Sequence, residues 1–251
     1  MKYKLLILDV DGTIVPYKKG ALPSPRVIEA IRNAYQKVRV CFATGRPLSM
    51  MEDIFAKLKM SGHAILNDGA QVIDIKTKKT LYERAMRKTD VKTVTAILEN
   101  EGASFFLNDS MQNKITQKIP LNRKILNIFT MHEMTEQKAD KLTDKLTHIP
   151  TIKVSKTHYG SKDSFELLIS HQEATKLHGI YEVAKVLRVK KSEIIGIGDS
   201  GNDFQLLMAC GLKVAMGNAI DDLKAIADYV APSVEEDGVA DVIEKFVLNT
   251  V

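Results

Sequence analysis

Short apolar runs recur along the chain, separated by stretches whose apolar positions repeat at helical spacing. Leu5-Leu6-Ile7-Leu8 reads as a strand buried on both faces. Pro25 opens a helix near residues 24–36, and Val38 to Phe42 marks a second strand near 38–43. A helix follows Pro47 and runs to about 59, and Ala64-Ile65-Leu66 is a third strand. Asn67-Asp68-Gly69 reads as a turn, and 71–75 pairs with 80–82 across a Lys-rich turn. The pattern then restarts. Val91, Val94, Ile97 and Leu98 mark a helix, strands are expected near 103–108, 112–117 and 125–131, and Ala139, Leu142, Leu146 and Ile149 mark a helix closed by Pro150. Further strands fall near 151–155 and 165–169. Strand–helix alternation then returns: a helix face at Leu177, Ile180, Ala184 and Leu187, a buried strand at Ile194–Ile197, a helix with Leu206 and Leu207, a strand at Leu212–Met216, and two closing helices. Short apolar strands between helices predict an α/β fold, a doubly wound parallel sheet. Residues 1–82 and 171–251 form this sheet domain, and 83–170 form a smaller α+β domain inserted into it.

The first strand ends in Asp9-Val10-Asp11-Gly12-Thr13. Side chains two apart on an extended segment point the same way, so Asp9 and Asp11 converge. Gly12 breaks the strand and lets the backbone approach a ligand. Converging carboxylates at the carboxyl end of a buried strand point to a metal site or an acid–base pair. A plain acidic turn is the alternative.

Composition narrows the class. The chain has 251 residues, 45% apolar and 27% charged, as a globular protein with a sizeable core has. The amino-terminal apolar run breaks at Asp9, too short for a signal peptide, and no run reaches the roughly 18 residues of a membrane helix. A cytoplasmic protein is expected, in which the Asn108-Asp109-Ser110 sequon is irrelevant. Cys41 and Cys210 read as small buried residues, and the six histidines show no ligand spacing. The net charge of +5 suits anionic ligands. Acidic residues are interleaved with the basic ones and no aromatic-studded basic stripe exists, so neither nucleic acid nor membrane is expected as a partner.

Three more segments are expected at strand carboxyl ends, where such sheets bind ligands. Ala43-Thr44-Gly45-Arg46 offers a hydroxyl, a flexible backbone and a helix amino terminus, which suit an anion or simply an N-cap. Lys176 lies in the first turn of its helix, where the dipole disfavours a cation unless an anion is near. Gly196-Ile197-Gly198-Asp199-Ser200-Gly201-Asn202-Asp203 matches a dinucleotide fingerprint, with Asp221 twenty residues on, but Asp199 would sit beside the pyrophosphate. Together these segments bring Asp9, Asp11, Asp199, Thr44, Gly45 and Lys176 to one sheet edge. All-oxygen ligation by three carboxylates favours Mg²⁺, and the hydroxyl and ammonium suit a phosphoryl group.

These residues resemble the motifs of the haloacid dehalogenase (HAD) superfamily, in its Cof-like branch with an α/β (type IIB) cap. The likeness rests on Asp9-Val10-Asp11-Gly12-Thr13, Ala43-Thr44-Gly45-Arg46, Lys176 and Gly198-Asp199-Ser200-Gly201-Asn202-Asp203. Asn67-Asp68-Gly69-Ala70 resembles the branch's Asn-Gly-Ala turn with one extra residue, and Gly217-Asn218-Ala219 and Glu236-Asp237-Gly238-Val239-Ala240 also fit. Leu177 stands where the family usually has glycine. The resemblance implies a Rossmann-like core, a cap formed by the inserted block, and a Mg²⁺-dependent phosphatase acting on a small phosphate ester such as a sugar phosphate. It implies Asp9 as nucleophile and Asp11 as general acid and base. Asp9, Asp199 and the backbone carbonyl of Asp11 would hold the metal. Gly12, Thr44, Gly45, Arg46, Lys176 and Asn202 would bind substrate, with Asp203 orienting the lysine and the metal's waters. A polar loop, His158 to Lys162, is either a cap contact or a hairpin turn. A phosphomutase of the same fold and a dinucleotide-binding oxidoreductase are the alternatives.

Overall fold

The computed structural model describes residues 2–18, 20–109, 115–116, 123–130, 134–159 and 161–249, without the side chains of 115–116, 157–159 and 161–163. The loop at 158–162 therefore lies outside the described side chains. In chain order, β1 (Leu5–Leu8), α1 (Pro25–Tyr35), β2 (Arg39–Ala43), α2 (Glu52–Leu58), β3 (His63–Leu66), β4 (Gln71–Asp74) and β5 (Thr80–Glu83) come first. Then follow α3 (Lys88–Asn100), β6 (Phe105–Asp109), β7 (Ile115–Thr116), β8 (Ile125–Thr130), α4 (Glu136–Thr147), β9 (Ile152–Tyr159) and β10 (Ser161–His171). The last group is α5 (Lys176–Leu187), β11 (Ile194–Gly198), α6 (Asp203–Met208), β12 (Leu212–Ala215), α7 (Asp221–Ala225), β13 (Tyr229–Val230) and α8 (Gly238–Ile243). The chain divides into two compact units, Met1–Tyr82 with Thr175–Val251, and Glu83–Ala174.

The first unit is built on an eight-stranded sheet in the order β13-β12-β11-β1-β2-β3-β4-β5. The strands from β13 to β3 are parallel, and β4 runs antiparallel to β3. Every residue of β1 is fully buried, as a central strand covered on both faces requires. Helices α1, α2 and α8 pack together as one layer, and α5 packs with α6 as another. The expected α/β architecture is borne out. Helix α1 starts where Ser24 Oγ accepts from the Val27 N–H and Pro25 fills the first turn; Val27, Ala30, Ile31 and Ala34 face the core. The chain leaves β1 in one direction to β2 and returns on its other side as β11, so strand order reverses at β1. Ligands bind at such a reversal, outside the carboxyl ends of the strands. Register fixes the geometry there: Leu8 lies opposite both Ile197 and Phe42, so Asp9, Asp199 and Thr44 emerge from three adjacent strands.

The second unit is a five-stranded sheet, β7-β6-β8-β10-β9, whose strands pair antiparallel among the described residues. Leu107, Ile128, Leu167 and Ile169 form its core with Val91, Val94 and Leu98 of α3 and Ala139, Leu142 and Leu146 of α4. Strands β9 and β10 run longer than their apolar residues predict. The added positions, 156–159, 161–164 and 170–171, are polar apart from the Tyr159 ring, and backbone pairing carries the hairpin where hydrophobic alternation stops. Strand β13 has two residues and pairs in parallel with β12; a segment that short leaves no periodic signal.

Candidate active site

Asp9, Asp199 and Asp203 each bring one carboxylate oxygen to within 4.8 Å of the others, and all three are buried. Lys176, 1% exposed, lies among them. Its Nζ donates to Asp9 Oδ1 at 2.6 Å and to Asp203 Oδ1 at 2.6 Å. The helix that carries it starts at Thr175, whose Oγ1 accepts from the His178 N–H. Burial alone would discharge this lysine, but the carboxylates of Asp203, Asp9 and Asp68 outweigh it and push its pKa up. The surplus of negative charge falls on the acids. Burial, then Asp203 and Asp199, hold the Asp9 carboxyl well above its ordinary range, against the pull of Lys176. Asp199 is raised to about 6, chiefly by burial, although hydrogen bonds from Tyr17 and Thr13 work against the shift.

Each carboxylate has a distinct set of donors. Asp203 Oδ2 accepts from the backbone N–H groups of Asp199 and Ser200, both at 3.0 Å, so it ties down the loop after β11. That loop passes so close that a Cβ at Gly198 would lie 2.5 Å from Asp203 Cβ. The same N–H groups would have to cradle a pyrophosphate in a dinucleotide site, and here they serve Asp203 instead. Asp199 Oδ1 accepts from Thr13 Oγ1 at 3.0 Å, and Oδ2 from the Tyr17 hydroxyl at 2.8 Å. Gly12 has φ +77°, and a Cβ there would lie 2.2 Å from Asp199 Oδ2. Its carbonyl accepts from Asn218 Nδ2 at 2.8 Å. Three carboxylates facing one ammonium leave a buried negative surplus, and an oxygen-only donor set with that charge fits a hard divalent cation.

The other residues singled out in the sequence lie around this cluster. Asp11 is not one of the three clustered carboxylates; both its oxygens accept from Arg46. Arg46, expected to face substrate, therefore grips the neighbouring acid. Thr44 is buried, and its Oγ1 accepts from the Arg46 N–H at 3.1 Å. Gly45 has open space where a Cβ would be, so no close contact demands glycine there. Asn202 is exposed at the edge of the site, with its Oδ1 accepting from Ser200 Oγ at 2.8 Å. The sequence assigns no site role to Tyr17 or Asp68: Tyr17 is an isolated aromatic without periodic context, and Asp68 lies in the family-like turn at 67–70 with no chemistry of its own implied.

A family model described as haloacid dehalogenase-like hydrolase matches residues 6–114 and 104–243. The chain belongs to this family. The resemblance read from the motifs is thereby borne out. Among haloacid dehalogenase-like relatives, a 5-amino-6-(5-phospho-D-ribitylamino)uracil phosphatase of Bacillus subtilis is 29% identical, covering 98% of this chain and 96% of its own. A phosphoglycolate phosphatase of Saccharolobus solfataricus is 25% identical, covering 96% of this chain and 95% of its own. A crystal structure of a haloacid dehalogenase-like hydrolase from Bacteroides thetaiotaomicron superposes with a TM-score of 0.81 at 26% identity, covering 97% of this chain and 99% of the other.

Proposed function

We propose that this protein is a phosphoric monoester hydrolase that uses Mg²⁺ to cleave a small phosphorylated metabolite, a sugar phosphate or similar ester, through an aspartyl-phosphate. The carrying observation is the buried pairing of Asp9 with Lys176 beside Asp199 and Asp203. The relatives named as phosphatases support the reading, and their differing substrates leave the leaving group open.

Lys176 engages Asp9 Oδ1, which leaves Oδ2 as the nucleophile. Oδ2 attacks phosphorus, the bond to the leaving oxygen breaks, and Asp11 gives that oxygen its proton. Water then attacks the aspartyl-phosphate, Asp11 takes back a proton, and phosphate departs with Asp9 restored. Thr44, Lys176, Asn202 and the backbone near Gly12 and Gly45 bind the phosphoryl oxygens. Asp9, Asp199 and the Asp11 carbonyl would hold Mg²⁺, which supplies charge neutralisation at the phosphoryl oxygens. Asp203 keeps Lys176 and the β11 loop in place. Residues 83–170 are the part we assign to leaving-group selection.

A panel of phosphate esters assayed with and without Mg²⁺ tests this reading, alongside Asp9→Asn. The variant should fold normally, by circular dichroism, and lose at least about a thousandfold in turnover. Substantial phosphate release by Asp9→Asn would refute the assignment.

A further inference from the structure

The turn after β3 is more than a connection. Asn67 and Asp68 both have positive φ, 53° and 58°, and Gly69 follows at 100°. The turn is buried, and its backbone reaches the Thr44-Gly45-Arg46 segment: the Asp68 N–H donates to Thr44 O at 2.9 Å, and the Asn67 N–H to Arg46 O at 3.1 Å. On another side Gly69 presses on Thr175, the residue before Lys176. The Asp68 side chain, 3% exposed, accepts from Asn202 Nδ2 at 3.0 Å.

We infer that Asp68 is a positioning residue for the phosphoryl group, acting through the amide of Asn202. That amide is held at both ends, with Nδ2 donating to Asp68 and Oδ1 accepting from Ser200 Oγ. Nδ2 carries two hydrogens. With one committed to the buried carboxylate, the amide cannot rotate or flip, and the second is presented from an exposed residue to a phosphoryl oxygen. The carboxylate also polarises the donor, which strengthens the bond it offers. Because the turn's backbone holds Thr44 as well, one segment orients two of the groups assigned to the phosphoryl oxygens. The inference rests on the proposed phosphatase reading for its kinetic consequence, and on phosphate binding for its direct one.

The test is a double-mutant cycle read in the affinity for inorganic phosphate, measured calorimetrically with Mg²⁺ present, and in KM and kcat for an active ester. Asp68→Gly removes the carboxylate while tolerating the left-handed backbone. It should weaken phosphate binding about tenfold, the effect of losing a charge-assisted hydrogen bond. Asp68→Asn, whose carbonyl accepts the same hydrogen bond, should stay within about threefold of the parent. In an Asn202→Ala background, Asp68→Gly should add less than about twofold. An equal penalty in both backgrounds, or Asp68→Asn as impaired as Asp68→Gly, overturns the inference. Phosphate binding without hydrolysis of any ester overturns the phosphatase reading alone, and absence of phosphate binding overturns both.

Discussion

Arg46 grips Asp11 with two prongs: Nε donates to Oδ2 at 2.8 Å and Nη2 to Oδ1 at 2.5 Å. The arginine side chain is mostly buried, and the carboxylate is about one-third exposed, at 35%. A carboxylate that open to water would sample several rotamers, and the planar fork selects one. In the proposed reaction Asp11 would carry a proton to the leaving group only after one prong lets go, so the contact would set where the acid starts. Arg46→Lys keeps the charge but offers a single point of attachment. We expect kcat to fall about tenfold with KM nearly unchanged. Steady-state kinetics on the best ester of the panel would show it, and an unchanged kcat would remove Arg46 from this role.

Gly69 should tolerate no side chain. A Cβ there would lie 1.9 Å from Thr175 O and 2.2 Å from its carbonyl carbon, both backbone atoms that cannot rotate away. With the positive φ added, Gly69→Ala should cost about 3 kcal/mol or more. That corresponds to a fall in Tm of roughly 6–12 °C for a chain of this size. Thermal unfolding followed by circular dichroism checks it, and a melt within about 2 °C of the parent contradicts the packing described.

Glu101 predicts a pH dependence confined to the second unit. It sits at the end of α3 and accepts from Lys145 and Lys141 of α4, which hold its carboxyl down to about 2 from an ordinary 4.5. A carboxyl whose folded pKa is depressed adds stability above its unfolded value and loses it as pH falls toward the folded one. Glu101→Gln should therefore lower the urea midpoint slightly at pH 7, as an exposed ion pair allows, and the difference should shrink from about pH 4.5 downward. A difference that persists undiminished at pH 3 would show that the pair is not its source.

The sheet and the cluster were legible for the same reason. The fully apolar runs 5–8 and 194–197 can only be central strands, and acids placed just beyond both must meet when those strands pair. Lys176 could be read from its unfavourable place at a helix amino terminus. The partner of Arg46 could not, because a guanidinium suits substrate phosphate and aspartate equally and only the packed structure chooses. Tyr17 reaches Asp199 across 182 positions, and Asp68 reaches Asn202 across 134. Single hydrogen bonds at such separations leave no periodic trace in the chain.

The pairing of β1 with both β2 and β11 has a consequence for biosynthesis. On the ribosome Asp9 is made well before Lys176, Asp199 and Asp203, with the whole second unit translated in between. At roughly 5–20 residues per second that delay is on the order of ten seconds or more. Until β11 docks, β1 has one open flank, an unpaired edge of the kind that invites aggregation. A chain that stops before β11 keeps that open flank on β1 and leaves Asp9 without the carboxylates of Asp199 and Asp203 beside it.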